Sequence, residues 1–239
     1  MAEPAGTMHV LRLRYGAGMT QTLDHSTGPH SPDGCTPTIP ADIEAVIFDF
    51  DGTLADTTAS HEQALRASLR LHSLDLDPTW YRRHLGLSIH DLLAALPGAQ
   101  HLPHEEIIRQ SRARLLATVH TLTPIACVVA LLRTARRGGL PCAIASGASR
   151  LLVEPGIDAL GLGHEFTAVV TREDVAHGKP APDLYLAASR RLGVPPQRCL
   201  AVDDAYEGLT AARAASMHVL TVVDRHLTAA EERKEAVRP

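Results

Sequence analysis

Apolar positions change their spacing twice along the 239 residues, and the changes divide the chain into three stretches. Residues 1–42 mix Gly, Pro, Ser, Thr and His with little periodicity apart from His9 to Tyr15, the pattern of a loose, disordered tail. Glu44-Ala-Val-Ile-Phe48 is a short apolar run, and the Asp49-Phe-Asp-Gly52 that follows ends in a turn signal, so a buried strand and a loop are predicted. From Thr57 to about His120 the spacing becomes three and four residues. It predicts helices over His61–Leu71, Pro78–Leu85, Ser88–Leu96 and Pro103–Val119. Beyond Pro124 the two periods alternate: helix Val128–Arg137, strand Pro141–Ser146, helix Ser149–Leu160, strand Phe166–Val170, helix Ala181–Leu192, strand Cys199–Asp203, helix Tyr206–Ala215 and strand His218–Val223.

Strands joined through helices require right-handed crossovers and a parallel sheet. The expected fold is α/β, a doubly wound, Rossmann-like parallel sheet made of residues 43–56 and 122–239. A four-helix cap, residues 57–121, is inserted after the first strand. Glycines at 138, 139, 161, 163 and 193 fall where these helices should stop.

Composition narrows the partners. No run approaches the roughly twenty apolar residues of a membrane span, and the Met1 segment lacks the basic start and apolar centre of a secretory leader. A formal charge of −4 offers no long-range attraction to nucleic acid or an anionic membrane, so a small molecule is the expected partner. The four cysteines, Cys35, Cys127, Cys142 and Cys199, have no metal-ligand spacing and read as reduced structural thiols, in keeping with a cytoplasmic protein. The fourteen histidines contain no HExxH, and aromatics at 3% give no platform for stacked bases. A monomer or weak dimer is expected.

In an open parallel sheet, ligands bind outside the carboxyl ends of the strands where strand order reverses. The polar residues of this chain gather there: Asp49 and Asp51 after the first strand, Ser146 and Gly147 after the second, Lys179 after the third, Asp203 and Asp204 at the fourth. Carboxylates converging on one crevice repel unless a cation joins them, and an all-oxygen set selects a hard ion, Mg2+. Asp49, the Asp51 carbonyl and Asp204 suffice as ligands, with Asp203 either a ligand or a support behind them. Such a site suits a phosphate ester, whose own charge must be cancelled before an anion can approach phosphorus. Mg2+ and Lys179 would cancel it, and Ser146 with the N–H groups of Gly147 or Ala148 would hold the phosphoryl oxygens. Asp49 would attack, and Asp51 would protonate the leaving alcohol and then activate water, which requires its pKa to be raised by neighbouring carboxylates and partial burial.

These residues also resemble a known family. Asp49-Phe-Asp-Gly-Thr-Leu-Ala-Asp56 is similar to the DxDGTLxDT signature of haloacid dehalogenase-like phosphatases, Ile144-Ala-Ser146 to their second motif, Gly178-Lys-Pro-Ala-Pro-Asp183 to the third, and Ala201-Val-Asp-Asp204 to the fourth. The resemblance covers about residues 43–224 and implies an Mg2+-dependent phosphatase acting through an aspartyl-phosphate. The helical insert resembles the small cap of the branch containing phosphoglycolate phosphatase, β-phosphoglucomutase and sugar-phosphate phosphatases. It implies a substrate contact at His61 and a substrate-inspecting loop around Gly86-Leu-Ser88. Ile89 stands where the mutase carries an arginine, which favours hydrolysis over the alternative of a phosphomutase and removes an anchor for a second phosphate. A binding module without turnover is the remaining alternative, opposed by the intact Asp49, Asp51, Lys179 and Asp204. Ala205 replaces the usual Ser, Asp203 a common Glu, and Ser216 a frequent Gly.

Overall fold

Runs such as Ala45-Val-Ile-Phe48 and Cys142-Ala-Ile-Ala145 have no polar side to offer water, so both of their faces must be covered. The computed structural model, which describes residues 38–230, covers them with helices on each side of one sheet. Residues 1–37 of the expected tail, Cys35 among them, lie outside the described residues. In chain order the elements are β1 (Ala45–Phe48), α1 (Thr58–Arg70), α2 (Pro78–Arg82), α3 (Ile89–Ala95), α4 (His104–Ala117), α5 (Ala126–Arg137), β2 (Cys142–Ala145), α6 (Arg150–Ala159), β3 (Ala168–Val170), α7 (Asp183–Leu192), β4 (Cys199–Asp203), α8 (Tyr206–Ala214), β5 (His218–Val223) and β6 (His226–Ala229).

The sheet order is β3-β2-β1-β4-β5-β6, parallel through the first five strands, and the class is α/β as the alternating pattern predicts. Alternation along β1 sends Val46 and Phe48 to one face, where they meet Val128, Leu131 and Leu132 of α5 and Val153 of α6. Ala45 and Ile47 point to the other face, against Leu184, Tyr185 and Ala188 of α7 and Ala211 and Ala212 of α8. That second face is built largely of alanine, from Ala143, Ala145 and Ala201 as well, which lets α7 and α8 lie close to the sheet.

β6 is an element that periodicity did not predict. It pairs antiparallel with β5 through Val223 and His226, across a two-residue turn in which Asp224 and Arg225 take φ of 49° and 67°. Left-handed turns of this kind favour Asn and Gly, and Asp-Arg carries too weak a signal to mark the hairpin.

Between β1 and β2 the chain forms α1–α4. Their apolar faces make a separate cluster of Leu65, Leu69, Tyr81, Leu93, Ile107 and Ile108. Asp77 caps α2, accepting from Thr79 N at 2.7 Å with Pro78 in the first turn, and Ser88 caps α3, accepting from Asp91 N at 3.2 Å. No helix among the described residues is long and apolar enough to cross a membrane.

Cys142 and Cys199 are buried free thiols, and burial raises their pKa to about 12 and about 11. Cys127 is disulfide-bonded, which corrects the expectation of four reduced thiols and removes cysteine usage as an indicator of compartment.

Candidate active site

The chain builds from β1 outward to β3, then returns across β1 to form β4, so strand order reverses between β1 and β4. Register at this junction pairs Phe48 with Val202, which brings the next residues, Asp49 and Asp203, side by side. Asp49 N donates to the Val202 carbonyl at 2.9 Å. The loop beyond then folds tightly: Gly52 takes φ of 78° and its N–H donates to the Ala55 carbonyl at 2.8 Å. A side chain at Gly52 would be strained by that φ and would also collide with the Asp204 carboxylate. Gly208 meets the same kind of constraint, its α-carbon lying against the Asp203 carboxylate.

Carboxylate oxygens of Asp49, Asp203 and Asp204 lie within 4.8 Å of one another. Lys179 enters between two of them from the β3 side and donates to Asp49 Oδ1 at 2.5 Å and Asp203 Oδ2 at 2.7 Å. Asp203 also accepts from the Tyr185 hydroxyl at 2.6 Å and from Ala205 N at 2.9 Å. Asp204 accepts at Oδ1 from Thr53 at 2.9 Å. Asp49 Oδ2 and Asp204 Oδ2 therefore have no protein donor among the described residues, and neither does the Asp51 carbonyl. A set of oxygens alone, two of them from carboxyl groups, fits a hard divalent cation.

Burial sets the protonation here. It pushes Asp49 well above the usual carboxylate range; Lys179 opposes this, and the charges of Asp203, Asp204 and Asp51 add to it. Burial and the charge of Asp203 raise Asp204 to about 7. Lys179 is held charged, since the pull of Asp203 and Asp49 outweighs its own burial.

Asp51 corrects an expectation. Its pKa is lowered: burial alone would raise it, but His61 Nε2 lies 3.2 Å from Asp51 Oδ1 and favours the anion, and Thr57 adds a hydrogen bond. The same pairing raises His61, against the effect of its own burial. Both shifts favour the pairing of an Asp51 anion with a His61 cation. This could not be anticipated from the carboxylates, because it depends on which way the first turn of α1 faces.

Ser146 is buried directly after β2, where its Oγ accepts from Ala148 N at 3.0 Å. Of the two backbone donors considered, Ala148 N–H is thereby engaged, and both residues line the cavity. Seven of the eight residues singled out from the sequence line one cavity, and the eighth, Asp203, is buried behind it against Lys179. Asp203 in addition holds Lys179, Tyr185 and a backbone amide in place. Tyr185 and Thr53 were not singled out. Thr53 lies inside the Asp49–Asp56 motif, and Tyr185 shows only as an aromatic on the buried face of α7, with nothing in the spacing to indicate a bond to Asp203.

Above the carboxylates lies a cavity of about 360 Å³, the size of small-ligand sites. Asp49, Asp51, Ser146 and Lys179 line it from the sheet, while Tyr81, His84, Ser111 and Arg112 line it from the helical insert. Gly86 sits at the seam with φ of 92°, and a Cβ there would come within 2.7 Å of Ala205.

A sequence profile described as haloacid dehalogenase-like hydrolase matches residues 43–216. Fructose-1-phosphate phosphatase YqaB of Escherichia coli is 35% identical over 190 residues, which span 74% of this chain and 95% of that protein. Protein CbbY of Rhodobacter capsulatus is 33% identical over 205 residues, 75% of this chain and 85% of that protein. The crystal structure of a CbbY variant from Rhodobacter sphaeroides in complex with xylulose-(1,5)-bisphosphate superposes with a TM-score of 0.67 at 29% identity, covering 75% of this chain and 86% of that one.

Proposed function

Because this chain belongs to the haloacid dehalogenase-like hydrolases, we propose that it is an Mg2+-dependent phosphatase of a small sugar phosphate or similar metabolite, with Asp49 as the nucleophile. The observation that carries the reading is the buried cluster of Asp49, Asp203 and Asp204 around Lys179, at the end of β1 where the strand order turns. Asp49, Asp204 and the Asp51 carbonyl would hold the cation, which lowers the negative charge on the phosphoryl group when bound.

The residues of the chain do the rest. Asp203 and Tyr185 fix Lys179, whose ammonium both restrains Asp49 and draws an anionic ester toward it. Ser146 and the Gly147 N–H hold phosphoryl oxygens. An Asp49 oxygen attacks phosphorus and the ester P–O bond breaks, giving an aspartyl-phosphate, while the Asp51–His61 pair delivers a proton to the departing alkoxide. Asp51 then takes a proton from water, whose oxygen attacks phosphorus and releases phosphate from Asp49. In this reading residues 57–121 act as a cap whose side chains meet the organic part of the ester, and residues 43–56 with 122–239 act as the core. Ile89 offers no charge to a second phosphate at the cap loop, which favours hydrolysis over the mutase reaction.

Asp49→Asn tests the reading in a phosphate-release assay with Mg2+ over a panel of sugar phosphates. Turnover should fall by about three orders of magnitude or more while the protein stays folded. Near-wild-type release from the folded variant would dismiss Asp49 as the nucleophile.

A further inference from the structure

Three strongly basic side chains line the cavity, and their partners differ. Lys179 is neutralised by Asp49 and Asp203. Arg172 is tied to its own loop, donating to the Val175 carbonyl at 3.0 Å and the Ala176 carbonyl at 3.4 Å. Arg112, on the third turn of α4, is half-buried and has no carboxylate or carbonyl partner among the described residues. The acids nearby are otherwise engaged: Asp91 accepts from Ser88 at 2.6 Å, and Glu173 accepts from Arg150 N at 3.1 Å.

Two hydroxyls share the roof with Arg112. Ser111 is 1% exposed and Tyr81 5% exposed; both line the cavity, and neither side chain has a hydrogen-bond partner among the described residues. Arg112, Ser111 and Tyr81 thus present three unpartnered polar side chains to one cavity, opposite Asp49 and Lys179, where a ligand can reach them.

We propose that Arg112 binds a second anionic group of the substrate, at the end remote from the phosphate that is cleaved, with Ser111 and Tyr81 donating to the same end. This deepens the phosphatase reading and rests on it. A planar guanidinium pairs in a fork with either carboxylate or phosphate, so the shared chemistry is an oxyanion on a short polyhydroxy chain. The insert thereby supplies from α4 the positive charge that Ile89 denies at the start of α3.

The test compares three six-carbon probes on the Mg2+-supplied enzyme: fructose 1-phosphate, fructose 1,6-bisphosphate and 6-phosphogluconate. Wild type should favour one of the two doubly anionic probes over fructose 1-phosphate in kcat/KM by about 10- to 100-fold, the range of a charge-assisted contact. Which of the two wins identifies the oxyanion as phosphate or carboxylate. Arg112→Ala should bring that ratio near one, Arg112→Glu should drive it below one, and Arg112→Lys should restore part of it. A wild-type ratio near one, or a ratio unmoved in the Ala and Glu variants, would overturn the proposal. Titration of the probes into Asp49→Asn, alone and combined with Arg112→Ala, separates the two readings. If wild type hydrolyses none of the probes but the doubly anionic ones bind in an Arg112-dependent way, the phosphatase reading fails and this inference stands. Equal binding with and without Arg112 would overturn the inference whatever the turnover.

Discussion

Asp204 shows how one residue couples acidity, cation and stability. Burial and the charge of Asp203 raise its pKa to about 7, far above the ~3.9 of a free aspartate. A carboxyl whose pKa is higher folded than unfolded stabilises the fold while it is protonated, and that contribution is lost as pH rises from about 4 through about 7. Without added metal, the Tm should therefore be lower at pH 8 than at pH 5.5. Because a cation binds the deprotonated form, Mg2+ should raise the Tm more at pH 8. Thermal denaturation with and without Mg2+ at both values checks this; a larger rise at pH 5.5 would exclude Asp204 as a ligand. The acidic positions themselves could be read from their place after the strands. Their protonation could not, because it depends on partners distant in sequence: Lys179 lies 130 residues from Asp49, and His61 reaches Asp51 only because α1 turns it that way.

Among the elements, the loop after β1 leaves little room for change at Gly52. Gly52 combines a φ of 78° with close contact to the Asp204 carboxylate, so Gly52→Ala is strained and also displaces that carboxylate. Turnover should fall by about 100-fold or more, with a loss of about 1–3 kcal/mol in urea-measured stability. An alanine variant with wild-type turnover would mean that Asp204 need not stay where it lies. β1, β2, β4 and β5 were visible as apolar runs, and α5, α7 and α8 as three-and-four spacing, because burial on one or both faces leaves a repeating mark. Element ends were less visible. α2 stops at Arg82 instead of Leu85, β3 is only Ala168–Val170, and β6 went unmarked because its turn is Asp-Arg and its strand is mostly exposed.

At the scale of the whole molecule, the cavity lies between two bodies of apolar packing, the sheet with its helices and the separate cluster of the insert. Their seam is held close by small groups, with Gly86 against Ala205 and its carbonyl near Gly147. Gly86→Val should prop the insert away from the sheet, lowering kcat/KM by about 10-fold or more while global stability, which resides in the two clusters, changes by no more than about 1–2 kcal/mol. Steady-state kinetics beside urea denaturation decides it, and an unchanged kcat/KM would show that the seam need not close. The strand order has a further consequence, for a chain still emerging from the ribosome. Asp49 is made early, yet β4, which brings the other acids beside it, is laid down only after β2 and β3 have formed on its far side. A polypeptide that ends before β4 carries Asp49 and Lys179 but neither Asp203 nor Asp204, so its acidic cluster is incomplete however well the earlier strands are made.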